Sequence, residues 1–144
     1  MQDILPKIIN RCSLFRLFIL AVLLLGLTAC AGTSDELQLF NLAQMRYEQA
    51  LRWQDYQGVV SFHKDAYKHA SREGRKRFKQ FKVTEYKVVS DVMEPDMRHD
   101  TQTVEIHYYN TDYQIVHSMM LRNRWEYNPK TNRWFLLNPM PKFK

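Results

Sequence analysis

Cysteine and glycine are both scarce in this chain. Its 144 residues include only two cysteines, Cys12 and Cys30. Cys12 lies inside an apolar leader, so one thiol remains behind it, which excludes a disulfide-stapled scaffold. Of the four glycines, Gly32, Gly58 and Gly74 follow the leader and all stand isolated. That excludes a glycine-rich loop cradling a nucleotide phosphate. A serine nucleophile has no elbow motif to support it. Internal repeats, low-complexity segments and a second linker are likewise missing. Collagen-like and disordered classes are excluded by what is present, because 45% of residues are hydrophobic and 13% aromatic.

The leader is the clearest feature. Leu17 to Leu27 is an unbroken apolar run behind Lys7, Arg11 and Arg16. A membrane-spanning helix needs about 20 such residues, whereas a short apolar run behind a basic start, ending in small residues, reads as a secretory signal. It closes on Leu27-Thr28-Ala29-Cys30, which resembles the bacterial lipobox. The resemblance implies that residues 1–29 are removed and that Cys30 becomes an acylated N-terminus, with residues 30–34 as a short tether. Two or more acyl chains hold a protein firmly at a bilayer. Ala31 stands where an aspartate would retain such a protein in the inner membrane. The same resemblance therefore implies an outer-membrane lipoprotein facing the periplasm.

Removing 29 of 144 residues leaves 115, enough for one domain with one core. Its first half reads as helical. Thr33 with Glu36 has capping-box spacing, with Ser34 as the rival cap. Phe40, Ala43, Tyr47, Ala50 and Leu51 then recur every three or four residues, predicting an amphipathic helix to about Trp53. Asp55 is placed to cap a second helix carrying Val59, Val60 and Phe62. A third helix is expected from Ser71 to Phe81, with Ala70, Gly74, Phe78 and Phe81 as its apolar stripe.

The second half reads as strands. Val83 to Met93 is β-rich and stops at Glu94-Pro95-Asp96. Val104, Ile106 and Tyr108 alternate with Glu105, His107 and Tyr109, and a similar alternation runs from Tyr113 to Tyr127. Asn128-Pro129-Lys130-Thr131 signals a turn before Trp134 to Leu137. A two-residue turn at Thr111-Asp112 would set Tyr108 opposite Ile115, Ile106 opposite His117 and Val104 opposite Met119. A four-residue turn at 128–131 would set Trp125 opposite Trp134.

The expected fold is therefore α+β: N-terminal helices packed on one face of a curved antiparallel sheet of about four strands, forming a single domain over residues 35–144. Tyr47-Glu48-Gln49-Ala50-Leu51 with Asp55-Tyr56, and Trp125-Glu126-Tyr127 with Asn132-Arg133-Trp134, carry a resemblance to the nuclear transport factor two-like (SnoaL-like, cystatin-like cone) superfamily. The chain departs from that pattern in having no short hairpin between the second and third helices. In that superfamily the curved sheet forms a pocket, and its enzymes place His, Asp or Tyr there. His117 and Tyr108 are the candidates here, the histidine as acid or base. A hydrogen-bonded core histidine is the plainer account of His117.

His63, His69, His99, His107 and His117 show no paired spacing of the zinc type, so neither a metal nor a cofactor is expected. Asp65, near His63 and His69, reads as a solvated helix end. Trp125, Tyr127 and Trp134 could grip a sugar ring or a partner protein, or simply pack across the last hairpin.

Charge is the feature left without a structural role. Residues 64–82 hold eight basic side chains against Asp65 and Glu73. Arg72, Arg75, Lys76 and Lys79 fall on one helical face. A basic patch is also the footprint of nucleic-acid binding, which a periplasmic address argues against. Anionic lipid or lipopolysaccharide headgroups are the expected partners, and a solvated helix face is the alternative. The reading as a whole is a non-enzymatic binding or interaction module of the envelope, holding a headgroup surface or an envelope protein. The alternatives are a small enzyme using a His117/Tyr108 pocket and a purely structural envelope component.

Overall fold

The structure, a computed structural model, describes residues 31–65, 68 and 70–144. The leader, Cys30 and His69 lie outside the described residues. The chain divides into two compact units, Met1–Asp35 and Glu36–Lys144. Among the described residues the buried apolar core runs from Phe40 to Phe143, so the second unit carries its own core.

Three helices precede a four-stranded antiparallel sheet in the order β1-β2-β3-β4. Helix α1 spans Ala31–Arg52. Phe40, Ala43, Tyr47, Ala50 and Leu51 are all buried, as their spacing requires. The helix is already formed at Ala31, so neither Thr33 nor Ser34 starts it. No helix among the described residues is long and apolar enough to cross a membrane.

Helix α2, Tyr56–Phe62, is capped by Asp55, whose carboxylate accepts from the Gly58 N–H at 3.0 Å. Helix α3 spans Arg72–Phe78 and is capped in the same way, Ser71 Oγ accepting from the Gly74 N–H at 2.9 Å. Three residues earlier than expected, α3 stops, and Phe81 opens a strand. Pairing of Phe81 with Asn110 draws it into the sheet, while it stays in the core. Ala70, placed on the apolar stripe by spacing, is exposed, because the short helix begins after it.

The strands are β1 Phe81–Met93, β2 His99–Asn110, β3 Val116–Asn128 and β4 Arg133–Leu136. Along β2 the even-numbered residues from Asp100 to Tyr108 are buried under the helices and the odd-numbered ones are half-buried. Strand β1 lies at the sheet edge and carries two irregularities, between Val83 and Glu85 and between Val88 and Ser90, of the kind that blunt an edge against further pairing.

Both expected registers are corrected by two residues. Tyr108 pairs with His117, Ile106 with Met119 and Val104 with Leu121. The turn is longer than two residues because Thr111 is drawn away to the Gln80 carbonyl at 2.8 Å, while the Gln114 N–H closes back on the Asn110 carbonyl at 2.8 Å. A shift of two preserves parity, so each residue keeps its expected face. In the last hairpin Trp125 pairs with Leu136, and Tyr127 pairs with Trp134. There the Asn128 side chain accepts from the Lys130 N–H at 2.9 Å and moves the turn to residues 129–132. Trp125 and Trp134 therefore do not face each other. Phe40 of α1 meets both, with ring centroids at 5.9 and 4.6 Å. Trp125, Tyr127 and Trp134 are all buried, so they serve the core and offer no sugar-stacking surface.

Candidate functional site

Four groups of polar side chains can be weighed as sites. The first is the pair singled out by strand parity. His117 and Tyr108 do come together, their rings stacked with centroids 5.5 Å apart. Tyr108 is buried, and its other neighbours are Phe81 at 5.9 Å and Phe143 at 4.9 Å. Phe143 folds back from the C-terminal segment and fills the space beside the phenol. His117 is exposed on the outer side of that stack. Neither side chain makes a hydrogen bond or ion pair to another described side chain, so nothing orients the imidazole for proton transfer.

A second group lies under α1 and was not foreseen. His63 is buried, with Nδ1 2.7 Å from the Asn138 carbonyl and Nε2 3.4 Å from the Tyr47 hydroxyl. A carbonyl only accepts, so Nδ1 carries a proton and donates it there. Burial holds the Tyr47 phenol well above its ordinary range, with Tyr86 adding to it. Farther along the sheet, the Trp125 indole N–H donates to Gln102 at 3.0 Å, and Gln102 donates to Asp91 at 3.0 Å. Asn123 donates to Tyr86 at 3.0 Å. Beside them Asp100 is buried, with both carboxyl oxygens lacking a hydrogen-bond partner. Burial first, and then the neighbouring Asp91, push its pKa up to about 8. Strand parity held the signal for this group, since Asp100 and Gln102 fall in line with Val104, Ile106 and Tyr108.

At the β1–β2 turn, Glu94, Asp96 and His99 bring three potential ligand atoms within 4.8 Å of one another. Asp96 already accepts from the backbone N–H groups of Arg98 at 2.9 Å and His99 at 3.2 Å, and from the His99 ring at 2.6 Å. The Arg98 N–H, then the His99 side chain, lower the Asp96 carboxyl below its ordinary range. These bonds explain the cluster as the closure of a turn.

The fourth group is the basic helix. Phe78 seats α3 on the core, its ring 5.7 Å from Tyr56 and 6.0 Å from Phe143. With Phe78 pointing inward, Arg72, Arg75, Lys76, Arg77 and Lys79 are all exposed. None of the five enters an ion pair among the described residues. By contrast Lys64 pairs with Glu126 at 2.7 Å and Lys68 with Asp65 at 2.9 Å. The Arg75 guanidinium lies 5.9 Å from the Tyr56 ring centroid, a cation–π contact that leaves its outward N–H groups open. A cleft of about 400 Å³ runs between α3 and the C-terminal segment, floored by Phe78, Phe81 and Phe143, with Arg77 and Lys142 among its lining.

Comparison with known proteins adds little to this geometry. No family model matches the chain. No curated protein matches it either. Among solved structures it is similar to a SEC-C motif containing protein from Psychrobacter arcticus, at 13% identity and a TM-score of 0.49. The likeness covers 66% of this chain and 56% of that one, so the chain spans little more than half the length of that protein.

Proposed function

We propose that this chain is an outer-membrane lipoprotein, anchored through Cys30 on the periplasmic side, whose α+β domain is a non-enzymatic module for phosphate-bearing headgroups. The observation that carries the reading is the set of five exposed basic side chains on α3 and at its C-cap, none of them in an ion pair among the described residues, with Phe78 buried beneath. Unpaired basic side chains near an anionic surface contribute ~1 kcal/mol each. The lipobox-like Leu27–Cys30 segment supports the anchor, and the absence of Asp after Cys30 supports the outer membrane. The order of three helices and then an antiparallel meander is compatible with a nuclear transport factor two-like domain. A Phe143 ring filling the space beside Tyr108 favours binding over a His117/Tyr108 catalytic pocket.

The test uses the soluble domain, residues 31–144, with vesicles of zwitterionic lipid alone or mixed with phosphatidylglycerol, and separately with lipopolysaccharide. Anionic vesicles or lipopolysaccharide should bind in a salt-sensitive manner while zwitterionic vesicles do not. Changing Arg72, Arg75, Lys76 and Lys79 to Glu should weaken binding at low salt by about 100-fold or more. Equal binding of the charge-reversed protein would sink the reading. An envelope protein that competes with the vesicles would identify the same face as a protein-binding one.

A further inference from the structure

Large apolar side chains left in water at a basic surface need an account of their own. Trp53 and Tyr113 are each 75% exposed, the highest values among the large apolar residues described, and Ile115 and Val116 are exposed beside Tyr113. Trp53 lies in the turn between α1 and α2. The other three lie in and just after the turn between β2 and β3. These segments are some 60 residues apart in the chain, and the fold brings both to one place.

That place is the junction of α3 with β1. Gln54, next to Trp53, donates through Nε2 to the Lys79 carbonyl at 3.1 Å and to the Phe81 carbonyl at 2.9 Å. Gln80, between them, accepts from the backbone N–H of Thr111 at 2.8 Å and from its hydroxyl at 3.2 Å. The junction thus fixes one apolar turn on each side of the end of the basic helix. Gln54 and Gln114 both have positive φ, at 57° and 54°, the left-handed backbone of a sharp turn.

We infer that Trp53, Tyr113, Ile115 and Val116 form a bilayer-inserting rim around the basic helix, and that the occupant of this end of the domain is an anionic membrane. This inference rests on the reading of α3 as a headgroup-binding face. The charge at the junction fits it: Lys79 and Lys82 are exposed and enter no ion pair among the described residues, Glu48 is taken up by Arg52 at 3.3 Å, and Asp112 is the one acid on the β2–β3 turn. The mix of chemistry selects a membrane over a folded partner: aromatic and aliphatic tips on two separate turns stand beside exposed lysines, the combination that an anionic interface takes up. Amphipathic Trp and Tyr rings settle at the headgroup level, and apolar burial there adds to the attraction between basic side chains and anionic lipid.

The indoles themselves supply the probe. Trp125 and Trp134 are 1% and 2% exposed, so Trp53 is the solvent-facing one of the three in the chain. Residues 31–144 would be mixed with phosphatidylglycerol-containing vesicles whose acyl chains are unlabelled or brominated. The expected result is a blue shift of tryptophan emission, quenching by the brominated chains, and loss of both in Trp53→Phe. The triple change Tyr113→Ser, Ile115→Ser and Val116→Ser should weaken vesicle binding about tenfold or more and abolish what survives at high salt. An unchanged melting temperature would show that these exposed changes leave the fold intact. If wild type and the triple variant bind alike and Trp53 stays accessible to an aqueous quencher, the rim is overturned while the basic face stands. If wild type binds no vesicle at all, both readings fall.

Discussion

Asp100 lies beside Asp91 on the helix-covered side of the sheet, with neither of its carboxyl oxygens hydrogen-bonded and almost none of its surface in water. An ionised carboxylate in that setting is costly. Burial, then Asp91, raise its pKa from an ordinary 3.8 to about 8. Between those values the folded chain holds a proton that the unfolded chain has released, so stability falls as pH rises through that window. Asp100→Asn keeps the shape without the charge. Its melting temperature should exceed that of wild type by about 4 °C or more at pH 9, corresponding to ~1 kcal/mol. The two should converge near pH 4. Parallel melting curves from pH 4 to pH 9 would refute the assignment.

Gly58 is fixed by the cap of α2. A Cβ there would sit 2.3 Å from Asp55 Oδ2 and 3.1 Å from the Ala50 Cβ. Alanine ordinarily stabilises a helix over glycine by ~1 kcal/mol. Here Gly58→Ala should instead destabilise, because displacing the Asp55 cap alone costs about 1–2 kcal/mol. Urea unfolding of Gly58→Ala in wild-type and Asp55→Ala backgrounds checks the mechanism. The penalty should shrink markedly once the cap is gone.

Phe143 ties the C-terminal segment to the core through Phe78, Phe81 and Tyr108. Phe143→Ala should cost about 3–5 kcal/mol, read as a lower urea midpoint at unchanged slope. A loss below 1 kcal/mol would mean that the segment is not packed as described.

Cys30→Ser tests the anchor separately from the domain. In cells the variant should accumulate as an unprocessed, heavier precursor that no longer incorporates labelled fatty acid. Normal maturation of that protein would remove the lipoprotein reading and leave the basic face untouched.

How far the fold could be read in advance follows from which signals are local. The apolar stripe of α1, the Asp55 cap and the alternation of β2 each lie within a dozen residues, and all are found in the structure. Register was not local. Tyr108 meets His117 because Thr111 bonds to Gln80, 31 residues away, and spacing fixes only which face each residue takes. Phe81 satisfied a helical stripe and a strand alternation equally well, and pairing with Asn110 decided between them. The basic residues of α3 were legible because they are contiguous. Trp53, Tyr113 and Ile115 were not, since distant turns converge there only after the chain has folded. Asp100 and Gln102 sat in plain view on the core face of β2, where polar side chains in an apolar row mark a buried network.

Helix α1 separates the two ends of this domain. Glu36 lies near Arg98, 3.7 Å away, beside the β1–β2 turn, and Arg52 lies beside the basic junction. At 1.5 Å per residue the helix between them is about 25 Å long. Only five residues of chain lie between Glu36 and Cys30. For a lipid-bearing chain, contact between the basic end and the same bilayer is therefore a two-point attachment, with α1 lying along the surface. Under the proposed anchor the second contact would be intramolecular and would work at an effective concentration of about a millimolar. An affinity that is only modest between separate molecules would then suffice to hold the domain flat, and raising the ionic strength would weaken that second contact without releasing the chain.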